Sequence, residues 1–144
     1  MEFRLLSPDD LPLVVGMEGD FRSGFVAEDA ARKFLCDPRN LLFAAVADSR
    51  IVGFAYGYRL ARLDGPMDKV YIHEVGVLPE WQRKGVGRRL LEMIKAYCRQ
   101  FKCLSFFLIT ERSNRAACSL YQSAGGVDPH GDNMVYWFDA GARG

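Results

Sequence analysis

The sequence predicts an α/β (α+β) domain built on one mixed sheet with helices on both faces. Three observations carry that expectation. After Gly85, apolar residues recur at three- and four-residue steps (Val86, Leu90, Met93, Ile94, Tyr97), the period of an amphipathic helix running to about residue 100. Short β-branched or aromatic runs bounded by turn residues, such as "VYIHEVGVL" over 70–78, read as strands. Helical and strand patterns are interspersed, and no repeat, low-complexity tract or linker divides them, so 1–144 reads as a single domain.

Each element has a local reason. "EFRLL" reads as a short first strand. Ser7 as N-cap and Pro8 at the first helical position predict a helix over 8–17. "VAEDAARKFLC" reads as a second helix, closed by Asp37-Pro38. "LLFAAVADSRIVGFAYGY" is two apolar runs around Asp48-Ser49-Arg50, a hairpin signal. A turn at Asp64-Gly65-Pro66 leads to the strand of 70–78, which Pro79 ends. Beyond the helix of 85–100, "CLSFFLIT" reads as a buried strand. "SNRAACSLYQSAGG" reads as a helix capped by Ser113 or Asn114 and stopped by Gly125-Gly126. "NMVYWFD" over 133–139 is expected to close the sheet.

Composition removes several function classes. With 49% hydrophobic and 26% charged residues the chain is globular rather than disordered. A net charge of +1 argues against coating nucleic acid. No run has the length of a membrane span and "MEFRLLSPDD" lacks a signal-peptide pattern, so neither membrane nor export is expected. Cys36, Cys98, Cys103 and Cys118 form no CxxC pair, and His73 and His130 are far apart in sequence. Buried free thiols in a reducing, cytoplasmic compartment, with neither a zinc site nor a disulfide framework, are the expectation.

The most specific stretch is "QRKGVGRRLLEMI", residues 82–94. It places Gly85 and Gly87 at a helix start among Arg83, Lys84, Arg88 and Arg89. First-turn amides have no intrahelical acceptor, the helix dipole adds positive charge there, and glycines admit close approach. That combination suits a phosphate; a capped surface helix with a solvated cationic face is the plainer alternative. The segment is not a Walker A loop, and Leu90 stands where a Rossmann fingerprint needs a third glycine.

"VYIHEVGVLPEWQRKGVGRRLLEMI" resembles the central acetyl-CoA-binding motif of the GCN5-related N-acetyltransferases (GNAT), Q/R-x-x-G-x-G/A, with Gln82, Gly85 and Gly87 at its fixed positions. "TERSNRAACSLYQSAGG" resembles the motif that follows it, with Asn114 and the Leu120-Tyr121 pair. The resemblance implies a mostly antiparallel sheet and acetyl-CoA as co-substrate. It assigns the main chain of Val75 and Val77 to the pantetheine arm, and Gln82, Arg83, Lys84, Gly85, Val86, Gly87 and Arg88 to the pyrophosphate. A homodimer is compatible with it, dimers being common in that superfamily. From "IVGFAYGYRLARLDGPMDKVYIHEVGV" through the glycine loop the chain is similar to the aminoglycoside 3-N-acetyltransferases. Glu74 stands where those enzymes carry Asp, His73 where they carry Tyr, and the terminal "WFD" resembles their "HFD".

The chemistry of acetyl transfer selects residues independently. An alkylammonium with a pKa near ~10.4 must lose a proton before it attacks a thioester. Glu74, the only carboxylate inside the strand 70–78, is the candidate base; its alternative is a salt bridge with Lys69 or Arg59. The leaving thiolate needs a donor, and the resemblance implies Tyr121; by spacing alone Tyr121 is an ordinary core aromatic. Asn114 is an N-cap or a cofactor donor, and the N–H of Val75 a donor to the developing oxyanion. Alternation puts His73 on the face opposite Glu74, as a core histidine. His130 reads as a surface residue, and Trp81 and Trp137 as packing residues, Trp137 with access to an acceptor cleft.

A cationic small-molecule amine needs convergent acids. Asp139 is the leading candidate, with Glu18, Asp20, Glu28, Asp29, Asp64, Asp68, Asp128 and Asp132 spread over flanking segments. The 3-amino group of an aminoglycoside is the expected acceptor. A protein N-terminus, a lysine or a polyamine is the alternative within enzymes, and an acyl-CoA sensor or a nucleic-acid-binding module the alternative outside them.

Overall fold

The computed structural model describes residues 1–17, 20–21 and 27–141. Glu18, and Val26 at the head of the expected second helix, lie outside them. The elements are β1 (Glu2–Leu5), α1 (Leu11–Val15), α2 (Glu28–Cys36), β2 (Asn40–Ala47), β3 (Arg50–Leu60), β4 (Lys69–Val77), α3 (Val86–Gln100), β5 (Phe106–Leu108) and α4 (Arg115–Ser123). One five-stranded sheet has the order β1-β2-β3-β4-β5. Its first three pairings are antiparallel and the β4–β5 pairing is parallel.

Strand alternation divides the core in two. Leu41, Phe43, Val70 and Ile72 face α3, where Leu90, Leu91, Ile94 and Tyr97 meet them. Leu42, Ala44, Ile51 and Phe54 face α1 and α2, packed by Val14, Ala31 and Leu35. The hairpin between β2 and β3 turns on Asp48 and Ser49, both at positive φ (52° and 60°), as a tight two-residue turn requires. A bulge between Ala45 and Val46 leaves Val52 as the extra residue of β3, so Val52 and Gly53 both turn toward α3. A Cβ on Gly53 would sit 2.7 Å from the Val86 side chain. The glycine lets α3 approach the sheet that closely.

The N-terminal turn is fixed by charge. The backbone N–H of Ser7 donates to Asp10 Oδ2 at 2.8 Å, and Arg4 Nη1 donates to Asp10 Oδ1 at 2.5 Å. Burial works to raise the Asp10 pKa, but these bonds outweigh it and hold the carboxyl below its ordinary value. The helix expected over 8–17 is therefore a 3₁₀ turn at Pro8–Asp10 followed by one and a half turns of α-helix.

Two expectations fail. The strand expected over 103–110 is reduced to Phe106–Leu108. Residues 133–139 form no strand at all: Tyr136 is 72% exposed, Trp137 88% and Phe138 88%. The β-branched and aromatic residues of "NMVYWFD" favour a strand, but a strand also needs a pairing partner, and none of the described strands pairs with 133–139.

All four cysteines are free, but the expected burial holds only for Cys98 and Cys103; Cys118 is half-buried, and Cys36, the last residue of α2, is exposed.

Candidate active site

β4 and β5 pair only over Val70–Ile72 and Phe106–Leu108. Beyond Ile72 no described strand covers that edge of β4, and the two strands part. The gap is a cleft of about 190 Å³ lined by Ile72, His73, Glu74 and Val75 of β4, Leu108 at the end of β5, Ile109 and Thr110 beyond it, and Asn114, Ala117 and Tyr121 at α4. Among the described residues lining it, Glu74 is the only carboxylate.

α4 delivers its two groups by capping and periodicity. Asn114 caps the helix, its Oδ1 accepting the N–H of Ala117 at 3.1 Å. Tyr121 lies about two turns further on, on the same side of the helix, and is partly buried. Gly125 (φ 94°) ends the helix, and the Gly126 N–H donates to the Tyr121 carbonyl at 2.8 Å. Burial, reinforced by Cys118, pushes the Tyr121 phenol above its ordinary pKa.

On β4, a bulge leaves His73 as an extra residue between the pairs Tyr56↔Glu74 and Gly57↔Ile72. The extra residue cancels the alternation. His73 is exposed, its ring 5.4 Å from that of Tyr56 and its Nδ1 3.2 Å from the Tyr71 hydroxyl. It therefore shares the aromatic face of Tyr56, Tyr58 and Tyr71 rather than the core. Gly57 makes the bulge possible, since a Cβ there would sit 1.9 Å from the Tyr71 carbonyl oxygen. Burial and the nearby Glu74 push the Tyr56 phenol up to about 12. This aromatic shelf was not read from the sequence; the "YGY" of 56–58 was its only signal.

At the start of α3, Gly85 is the N-cap with φ 81°, and nothing lies within 4 Å of where its Cβ would be. The Arg89 N–H donates the first intrahelical bond, to Gly85 O at 3.0 Å, which leaves the amides of Val86, Gly87 and Arg88 ahead of it. The surrounding cations are not equivalent. Arg89 lies 4.0 Å over the Phe3 ring, Lys84 sits 5.4 Å over Trp81, and Arg88 is 3.5 Å from Glu92. Arg83 is exposed, with φ 59°.

The model of the acetyltransferase (GNAT) family matches residues 12–126. The chain belongs to this family. An N-alpha-acetyltransferase RimI of Mycobacterium tuberculosis is 33% identical over 106 residues, covering 70% of this chain and 64% of that protein's length. An aminoglycoside acetyltransferase from an uncultured soil metagenomic sample, solved with trehalose, superposes with a TM-score of 0.85 at 19% identity, over 99% of this chain and 96% of that one. The aminoglycoside N-acetyltransferase AAC(6')-Iy, solved with CoA, superposes with a TM-score of 0.76 at 18% identity, over 98% and 95% of the two chains. At these identities the two structures share the fold. The GNAT expectation for the sheet, mixed and mostly antiparallel with helices on both faces, is met.

In this GNAT chain the expected site residues separate into groups. Glu74, Val75, Asn114 and Tyr121 come together in one cleft. Val86 and Val77 turn their side chains to the α3 core, leaving only their main chain for a ligand. The Gln82 amide donates to the Val77 carbonyl at 3.0 Å and so braces the end of β4. Gly87 serves packing: a Cβ would lie 2.9 Å from Leu120 Cδ2, so α4 crosses closely here. Asp139 is not in the cleft; it sits in the exposed tail, accepting the Gly141 N–H at 2.8 Å. Several other expected acids are held by arginines: Asp68 by Arg59 and Arg39 at 2.7 and 3.1 Å, Asp64 by Arg62 at 3.1 Å, and Glu28 and Asp29 by Arg32. Asp128 pairs with Arg112 at 3.6 Å, while Asp20 and Asp132 are simply exposed. Arg59 is thus engaged by Asp68, which removes it as the partner considered for Glu74. His130 is exposed, as is Trp137; Trp81 packs against the α3 core. No helix among the described residues is long and apolar enough to cross a membrane, and no metal-binding group of His, Cys, Asp and Glu is found among them.

Proposed function

We propose that the chain is an acetyl-CoA-dependent N-acetyltransferase that acetylates a primary amine. One observation carries the reading: Glu74 and Tyr121, from β4 and α4, line a single cleft where β5 leaves β4. Glu74 takes the ammonium proton, directly or through a water, and its charge draws the cation beforehand. The N–H of Val75 is assigned to the negative charge that develops on the acetyl oxygen. Tyr121, a phenol protonated at neutral pH, hydrogen-bonds or protonates the departing thiolate.

Acetyl-CoA, when bound, supplies the acetyl group as a reactive thioester. The residues present fit it. The uncovered edge of β4 beyond Ile72 offers main-chain groups at Val75 and Val77 to an amide-bearing arm. The free amides of Val86, Gly87 and Arg88, the open space at Gly85 and the charges of Arg83, Lys84 and Arg88 suit a pyrophosphate. Asn114 has a second role open at the cleft margin, and Gln82 acts through Val77. The four free thiols support a reducing compartment, the cytoplasm.

For the acceptor we favour a cationic small molecule, the 3-amino group of an aminoglycoside, as in antibiotic resistance. The "YIHEVGV" and "WFD" segments and the aromatic shelf beside Glu74, suited to a sugar ring, support it. A second reading, a protein N-terminus, lysine or polyamine, is favoured by one observation: Glu74 is the lone carboxylate of the described cleft lining while Asp64, Asp68 and Asp128 are held by arginines.

The test is an acetyl-CoA turnover screen over gentamicin, polyamines and N-terminal peptides with the protein and Glu74→Gln. Gentamicin should gain one acetyl group by mass spectrometry, with a KM that rises with ionic strength. Glu74→Gln should lose about 10²–10⁴-fold in rate, less as pH rises and the amine deprotonates itself. An unchanged neutral-pH rate in that variant removes Glu74 from the chemistry. Turnover on peptides alone selects the second acceptor, and acetyl-CoA binding with no turnover on any amine makes the chain a sensor.

A further inference from the structure

The C-terminal end of α3 closes in a Schellman turn. Lys102 takes the left-handed conformation (φ 55°), and the N–H of Cys103 donates back to the Cys98 carbonyl at 2.9 Å. Such a turn brings the side chains of its first and last residues into apolar contact. Here both of those residues are cysteines. Each is 7% exposed, and both belong to the core beneath α3.

The backbone already holds them at bonding range. A carbonyl oxygen lies about 2.4 Å from its own Cα and an N–Cα bond adds about 1.46 Å, so the hydrogen bond keeps the two Cα atoms within about 6.8 Å. A disulfide spans that separation. The thiols also sense each other: burial first, and then Cys103, raise the Cys98 pKa, while Arg59 and Arg99 offset part of the rise. Arg59 reaches the turn from β3, its Nη2 donating to the Phe101 carbonyl at 3.4 Å. A guanidinium there favours the thiolate that oxidation requires. Neither cysteine lines the cleft, and the other two thiols lie on different helices, Cys36 on α2 and Cys118 on α4.

We propose that Cys98 and Cys103 are an oxidisable pair that a small peroxide closes into a disulfide, locking the end of α3 to the connector that leads into β5. One thiolate attacks a peroxide oxygen, the O–O bond breaks, and the sulfur becomes a sulfenic acid. The hydroxide released takes up the proton that this thiol gave away and leaves as water. The second sulfur then displaces the hydroxyl, forming the S–S bond and breaking the S–O bond, and its proton leaves with the hydroxyl as a second water. Two thiols are oxidised by two electrons and the peroxide is reduced to two waters.

Burial decides which oxidant fits. Hydrogen peroxide is small enough to reach the pair through fraying of the last helical turn, whereas a larger disulfide meets the exposed Cys36 first. The connector is what the bond secures. The Leu104 N–H donates to the Asp68 carbonyl at 2.8 Å, and the Val70 N–H to the Ser105 carbonyl at 3.0 Å. Residues 103–105 therefore tie α3 to the starts of β4 and β5, and a covalent link at Cys103 removes freedom that the unfolded chain otherwise gains there. This inference is independent of acetyl transfer.

The test uses the full chain carrying Cys36→Ser/Cys118→Ser, which leaves the pair as its only thiols. The protein is treated with hydrogen peroxide, quenched with catalase and unfolded, and its thiols are counted by N-ethylmaleimide uptake in mass spectrometry. Untreated protein should take up two reagents, treated protein none, and treated protein given dithiothreitol two again. The last step separates a disulfide from sulfinic acid and from methionine sulfoxide, which dithiothreitol does not reverse. Peptide mapping of the parent chain should link 98 to 103, a readout that does not depend on how well the variant folds. Treated protein should melt about 4–8 °C higher before dithiothreitol than after it, and Cys103→Ser should abolish that difference. Full reagent uptake after peroxide, thiols that dithiothreitol does not restore, or a bond linking two molecules would each overturn the proposal. So would a bond that leaves Tm where it was, since the pair would then lock nothing.

Discussion

Tyr121 shows how a single residue changes meaning between sequence and structure. By spacing alone it is an ordinary aromatic on a helix; in the fold its ring is partly buried while the residue lines the cleft holding Glu74. Burial raises its pKa, which favours hydrogen-bond donation over full proton transfer. Tyr121→Phe keeps the ring and removes the donor. Its turnover should fall by about 10²-fold or more with little change in KM for acetyl-CoA, read by steady-state kinetics. Equal turnover would return the residue to packing. Glu74, Asn114 and Val75 were legible because a carboxylate, a cap and a strand residue announce themselves by type and position. His73 was not, since its side follows from a bulge, and a bulge is a property of two paired strands. At Gly87 the fold adds a reason the sequence did not show: the space the glycine leaves is filled by Leu120.

Among the elements, those with a strong internal period were read within a few residues, and those that depend on partners were not. α3 carries its own amphipathic stripe and caps, and it runs from Val86 to Gln100 much as expected. β5 and the tail depend on what lies alongside, and there the expected strands shrink or vanish. The N-terminal turn depends on one carboxylate. Asp10 has its pKa lowered in the folded chain, so its stabilising effect is present above the unfolded value of about 3.9 and is lost as pH falls through the folded value. Asp10→Asn should cost about 1–3 kcal/mol at neutral pH. It should also lose less stability between pH 7 and pH 3 than the parent, as measured by urea unfolding. An equal pH dependence in both proteins would show that other carboxylates govern acid unfolding.

Across the whole molecule, the sheet is sandwiched between α1 and α2 on one face and α3 on the other, with the cleft at the point where the sheet opens. A ligand that spans the glycine loop and the uncovered edge of β4 bridges two elements, and so opposes global unfolding. Acetyl-CoA at a hundred times its Kd should stabilise the fold by about 2.7 kcal/mol, which shifts Tm by roughly 5–11 °C in thermal denaturation. Arg83→Ala/Lys84→Ala should reduce that shift while leaving the ligand-free Tm nearly unchanged, because both side chains are exposed. A full shift in the variant would place the pyrophosphate elsewhere. The distribution of thiols has a practical side for any such measurement. Burial and the neighbouring Cys103 push the Cys98 thiol up to about 11, whereas Cys36 is open to solvent. Cys118 lies three residues before Tyr121 on α4, and its Sγ is 3.5 Å from the Glu111 carbonyl oxygen. An aromatic disulfide reagent added to count released coenzyme A would therefore also label Cys36 and, more slowly, attach a bulky group at Cys118, one turn from the cleft-lining Tyr121. Such an assay would poison what it reports, and a stopped, end-point readout, or a Cys118→Ser protein, would be needed to follow the true rate.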